Sequence, residues 1–113
     1  MDETGEWVNE VRLVGRVSGA PEERELPRGD VVVQLRVVVP RPDGTAGASV
    51  DTIDVACWSG RTRQVARRLQ AGDHAEVTGA LRRRFYRAGA ATVSRYEVQA
   101  HSLRRAKAAV AAG

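Results

Sequence analysis

Ser59-Gly60-Arg61-Thr62-Arg63-Gln64-Val65-Ala66-Arg67-Arg68-Leu69-Gln70-Ala71-Gly72 is the stretch on which the fold turns. Val65, Ala66 and Leu69 fall at i, i+1 and i+4, the spacing of one helical face. Ser59 or Thr62 is placed to cap the start, because a short side-chain oxygen satisfies the free N–H groups of a first turn. Gly72 stands where a left-handed residue ends a helix. The spacing predicts a helix over about residues 61–70, the one convincing helix of the chain. Around it the sequence alternates.

Upstream, Val31–Val39 carries the strongest strand signal, with Val33, Leu35, Val37 and Val39 opposing Gln34, Arg36 and Val38. Val8–Val17 sets Val11, Leu13 and Val17 against Arg12 and Arg16. Val50–Trp58 sets Val55 and Cys57 against Thr52, Asp54, Ala56 and Trp58. Between the first two strands, Glu22-Glu23-Arg24-Glu25 reads as a solvated connection and Leu26–Asp30 as a turn. Pro40–Gly47 is rich in turn formers and reads as a loop. Downstream of the helix, strands are predicted over His74–Tyr86 and Thr92–Leu103, joined through Gly89.

The order is β-β-β-α-β-β, which predicts an all-β domain with one short helix. Five strands with a helix between strands 3 and 4 is the order of the OB-fold, a Greek-key barrel that commonly binds oligonucleotides or oligosaccharides. Residues 9–105 make this domain, residues 1–8 an acidic extension and residues 106–113 a frayed tail.

Composition narrows the function. With 113 residues the chain is one domain, and its one Phe, two Tyr and two Trp leave Val, Leu and Ala to fill the core. Residues 1–30 hold eight acids and four bases, net −4, while residues 31–113 hold fourteen bases and six acids, net +8. That asymmetry points to a directional field. Every basic residue except Lys107 is arginine. Arginine both stacks on bases and forks onto phosphate, and a GC-rich genome produces the same bias. Cys57 is alone, which excludes an internal disulfide and fits a reducing compartment. The acidic N-terminus leads into no apolar signal segment and nothing is long enough to span a membrane, so a cytoplasmic, nucleoid-associated location is expected.

Leu81-Arg82-Arg83-Arg84-Phe85-Tyr86-Arg87 carries the chemistry. On a strand, Arg82, Arg84 and Tyr86 share one face, and Leu81, Arg83, Phe85 and Arg87 the other. Two guanidiniums beside a ring suit a polyanion with flat bases. An Arg-rich edge that discourages aggregation has the same composition. Trp58 is either a groove platform or core, and its neighbours Thr52 and Asp54 favour the groove. Phe85 is assigned to core or interface, and Trp7 to an edge or subunit contact. Arg61, Arg63, Arg67 and Arg68 read as a solvated helix face. His74, His101 and Cys57 lack the spacing of a metal site. Gly15, Gly79 and Gly89 mark bends or turns, not a phosphate loop. No nucleophile, base and orienter assemble. No enzyme, cofactor or metal is expected.

Asn9-Glu10-Val11-Arg12-Leu13-Val14-Gly15-Arg16-Val17 resembles the opening strand of bacterial single-stranded DNA-binding proteins, with its Asn-x-Val-x-Leu-x-Gly core. Leu35–Val39 resembles their second strand, Gly79–Tyr86 their fourth, and Ser94-Arg95-Tyr96-Glu97-Val98 a shortened form of their Arg-Tyr-x-x-Glu-Val strand. The helix and Gly72 fit between. The resemblance covers roughly residues 9–105. It implies that Trp58 and Tyr86 stack bases while Arg82 and Arg84 line the same groove; beside it, the reading of the residues assigns Arg36, Arg82, Arg84 and Arg41 to phosphates. Two departures stand out. Thr52 occupies a position where the family often has tryptophan, and Arg41 lies near another. No acidic residue follows Glu97, where the family ends in an acidic, partner-recruiting tip, so a tailless member without that recruitment is expected.

The resemblance implies sequence-tolerant binding of single-stranded DNA in replication, recombination or repair, by a homodimer or homotetramer. The alternatives are an OB-fold protein-interaction module that regulates DNA transactions, and a single-stranded RNA binder.

Overall fold

The computed structural model describes residues 5–42 and 49–107. The tip of the expected loop after residue 42 and the tail beyond residue 107 lie outside the described residues. Six strands and one helix follow in order: β1 (Val11–Val17), β2 (Glu22–Glu25), β3 (Val31–Pro40), β4 (Val50–Cys57), α1 (Gly60–Arg68), β5 (His74–Ala88) and β6 (Ala91–Ala106).

The strands run β1-β5-β6-β4-β3, and β1 returns to β3 through Arg16↔Val38 and Val17↔Val37, so five strands close a ring. Closure pairs the strand edges that an open sheet would expose. One pairing is parallel, β4 with β6 at Val55↔Val98 and Ala56↔Gln99, as a Greek-key path requires. The expected five-stranded OB barrel is present, with the helix between its third and fourth strands.

A sixth strand adds to it. Glu22–Glu25, expected as a solvated connection, pairs with Val31–Gln34 as the outer strand of a hairpin. All four residues are exposed, so no apolar alternation marks the strand. Its ladder is backbone alone, set by the turn in which Leu26 N donates to Asp30 O at 2.8 Å. Arg67 of α1 holds Glu23 from outside at 2.8 Å.

The core is aliphatic, as the composition requires. Val17, Val37, Val77 and Val55 are at most 1% exposed and surround Cys57, Ala66 and Leu69. Ser59 caps α1 by accepting from Thr62 N at 3.1 Å. Ala66 and Leu69 are buried and Val65 packs against the core, so the predicted face of the helix plugs one end of the barrel. Gly72, at φ 94°, turns the chain towards β5.

None of the five aromatic residues joins this core. Trp7, Phe85, Tyr86 and Tyr96 are exposed, and Trp58 is half-buried. The expectation that Phe85 is a core or interface residue loses its core half, since its ring is 63% exposed. Each ring left in water forgoes roughly 1.5–3 kcal/mol of burial, so their common placement outside calls for a functional account.

Candidate nucleic-acid interface

β5 and β6 outrun the barrel. Beyond Leu81 and Val98 they continue as a two-stranded ribbon to Ala88 and Ala91, where Gly89 turns at φ 64°. The antiparallel register sets Arg82 opposite Glu97, Arg84 opposite Arg95 and Tyr86 opposite Val93. Directly opposed residues share a face. Across from that face, β3 and β4 place Arg36 opposite Asp54.

Between these walls lies a groove of about 760 Å³, lined by Gln34, Arg36, Asp54, Arg84, Tyr86 and Arg95 among others. Arg24 and Glu22 of β2 close its side. Five arginines (24, 36, 84, 87 and 95) face it against three acids (Glu22, Asp54 and Glu97), which leaves the groove net positive.

Two chains of contacts organise the walls. In the first, Arg36 Nε donates to Asp54 Oδ1 at 3.2 Å, and Arg95 Nη1 lies 3.9 Å from Asp54 Oδ2. The Arg95 guanidinium then lies 5.9 Å from the Tyr86 ring centroid. In the second, Arg84 reaches Glu97 Oε2 at 3.4 Å and stands 5.3 Å from the Trp58 ring. Glu97 is only 8% exposed, so Arg84 also compensates a carboxylate that burial would otherwise penalise. Each of these two rings therefore carries a guanidinium within cation–π range. The carboxylates hold the arginines in place, and the arginines hold the rings.

Of the six residues singled out from sequence, the structure brings four together. Arg36, Arg84 and Tyr86 line the groove, and Trp58 is joined to it through Arg84. Arg82 lies on the same ribbon face but donates to Gln99 Oε1 at 3.1 Å, outside the lining residues. Arg41 stands apart. It donates to Asp51 Oδ1 at 2.9 and 3.1 Å, five residues along β3 from Arg36, roughly 17 Å at strand rise.

Arg95 was not among the expected site residues, although it bridges Asp54 and Tyr86. Its signal was its own strand alternation combined with the hairpin register. Only a turn at Gly89 makes Arg95 the partner of Arg84. Arg24 was hidden for the reason that β2 was.

A profile of the single-strand binding protein family matches residues 8–106. A curated relative, the single-stranded DNA-binding protein of Halalkalibacterium halodurans, is 33% identical over 81 residues, covering 70% of this chain and 48% of the relative. This chain thus spans about half the length of that relative. Among solved structures, the chain is similar to the Plasmodium falciparum SSB complex with ssDNA, at TM-score 0.72 and 19% identity, over 95% of this chain and 100% of that one. It is also similar to a deletion mutant of the single-stranded DNA binding protein from Thermus aquaticus, at TM-score 0.73 and 24% identity, over 97% of this chain and 46% of that one. At these identities the structural likenesses establish the barrel.

Proposed function

The chain belongs to the single-strand binding protein family, and on that premise we propose that it binds single-stranded DNA without sequence preference, in the groove between the ribbon and β3–β4. One observation carries the reading. The aromatic residues stay out of the core, and two of them, Trp58 and Tyr86, each carry an arginine that lines the groove. Bases stack on a ring face whatever their identity, and the adjacent guanidiniums meet phosphates. Arg36, Arg84 and Arg95 serve the backbone, with Arg82 at the margin and Arg41 outside the groove. The chemistry is binding alone, with roles in replication, recombination or repair and a nucleoid-associated location.

The test is a fluorescence titration with oligo-dT and with duplex at two salt concentrations. Trp7 is 94% exposed, so Trp7→Phe leaves Trp58 as the single reporter. We expect quenching by the single strand, weakened by salt with a slope of about −0.7 per phosphate contact. Trp58→Ala with Tyr86→Ala should remove about 1–3 kcal/mol per lost platform. Unchanged oligo-dT affinity in that double variant would refute the assigned face.

Assembly into a homo-oligomer belongs with this reading. Among the described residues, Val11–Gly15 of β1 is laddered to β5 on one side and to nothing on the other. Val14 lies exposed within this segment, and Trp7 and Val8 lie exposed just ahead of it. An unpaired edge flanked by apolar side chains is a template for a second copy of itself.

A further inference from the structure

The ribbon has a second face, which the groove leaves unused. Strand alternation puts Leu81, Arg83 and Phe85 on it from β5, and the register brings Tyr96 of β6 directly opposite Arg83. Phe85 is 63% exposed, Tyr96 58% and Leu81 45%. The Arg83 guanidinium stands between the rings, 4.9 Å from the Phe85 centroid and 5.7 Å from that of Tyr96. Its polar contact is Ser94 Oγ at 3.3 Å. No carboxylate alternates onto this face from Leu81 to Arg87 or from Thr92 to Val98.

From this juxtaposition we propose that the reverse face of the β5–β6 ribbon is a second stacking surface for single-stranded nucleic acid, engaged by a strand that has passed around the ribbon tip from the groove. The inference rests on the proposed function and extends it from one face of the ribbon to both. Two exposed rings with a cation between them and no acid nearby are complementary to bases and phosphates. Arg87 continues the positive charge around the tip. Its alternation belongs to the reverse face, yet it lines the groove. Self-association through this patch is disfavoured by the same charges. A symmetric contact would bring Arg83 against its own copy with no carboxylate to separate them.

The experiment compares oligo-dT of about 6 and about 20 nucleotides, lengths spanning the usual site size of one OB barrel. It uses the full chain, Phe85→Ala/Tyr96→Ala, and Trp58→Ala/Tyr86→Ala. Because Phe85 and Tyr96 are more than half exposed, their truncation leaves the core intact, and circular dichroism checks that. We expect the reverse-face variant to bind the short strand as the unmodified protein does. It should bind the long strand about 30-fold more weakly, the loss of two stacked bases at the low end of their strength. The groove variant should lose both lengths. Equal affinity of the reverse-face variant and the unmodified protein for the long strand would overturn the inference and leave the groove reading standing. So would an equal loss at both lengths, which would make the two faces one site. A drop in light-scattering mass with unchanged DNA affinity would reassign the face to a contact between copies. If the unmodified protein bound neither length, the proposed function itself would fall.

Discussion

Gly79 marks the point where β5 passes from barrel to ribbon, and its missing side chain is a steric requirement. A Cβ there would lie 1.9 Å from Gln99 O and 2.9 Å from its carbonyl carbon, both backbone atoms of β6. The register also shifts between Thr78 and Gly79, a bulge that bends the pair. Gly79→Ala must therefore push β5 from β6. The expected cost is about 3 kcal/mol, at the upper end of overpacking, lowering the melting temperature by roughly 10 °C or more. Gly60→Ala is the control, since its Cβ would meet only the tip of Arg63 at 3.9 Å. Equal melting of both variants would contradict the close approach. Cys57 gives a second residue-scale expectation. Burial pushes its thiol up to about 11, with the Thr62 hydroxyl pulling the other way. In the unfolded chain a cysteine ionises near 8.5. Between those values the unfolded state has released a proton that the folded state keeps, so stability falls as pH rises. The slope is about 1.4 kcal/mol per pH unit. Urea midpoints at about pH 8 and 10 should fall faster for the unmodified chain than for Cys57→Ala. Parallel curves would show that the thiol is not protected. For the same reason it is a weak nucleophile near neutral pH.

At the scale of elements, the outer side of β1, β5 and β6 is tied by one carboxylate. Glu76 on β5 accepts from Arg12 Nε of β1 at 2.7 Å and from Arg104 Nε of β6 at 2.9 Å. The Arg12 hydrogen bond, followed by that of Arg104, holds the Glu76 carboxyl below the usual carboxylate range. A lowered carboxylate contributes stability above its unfolded value and loses it as pH falls through its folded value. Glu76→Gln should then cost little at neutral pH, because both arginine partners lie largely in solvent. It should also flatten the loss of stability on acidification below about pH 4. Thermal melts across that range check this, and an acid limb identical to the unmodified protein would sink it. The β2 hairpin is held in the same way, with Arg67 keeping the Glu23 carboxyl low. Here the sequence was least readable. Four exposed residues carry no periodicity, and the bonds that make them a strand are main-chain bonds available to any residue but proline.

The whole molecule is a closed barrel with a ribbon projecting from it, and that division sorts its residues. Val and Ala close the barrel, while four of the five rings lie on the ribbon or against an arginine of the groove beneath it. The free edge of β1 sets the expected assembly. Light scattering at micromolar concentration should return a dimer or larger, and Val14→Pro should reduce it to a monomer, because the N–H of Val14 faces the free edge, on the side from which Ser18 N reaches Arg36 O of β3. A monomeric unmodified chain would refute the proposal without any variant. Alternation in β3 and β5, the i, i+1, i+4 face of α1 and the order of elements were readable in the sequence. Each is a local pattern, written by which side chains must leave water. From these the barrel, its aliphatic core and the shared face of Arg82, Arg84 and Tyr86 all followed. Tertiary structure alone decided the rest: that β2 is a strand, that Arg95 stands across from Arg84 and bridges Asp54 to Tyr86, that Arg41 lies far from the groove, and that Phe85 and Tyr96 flank Arg83 in solvent. These depend on register and closure, which are set by main-chain ladders and turn geometry between distant segments, and a ladder leaves no mark on the side chains it joins.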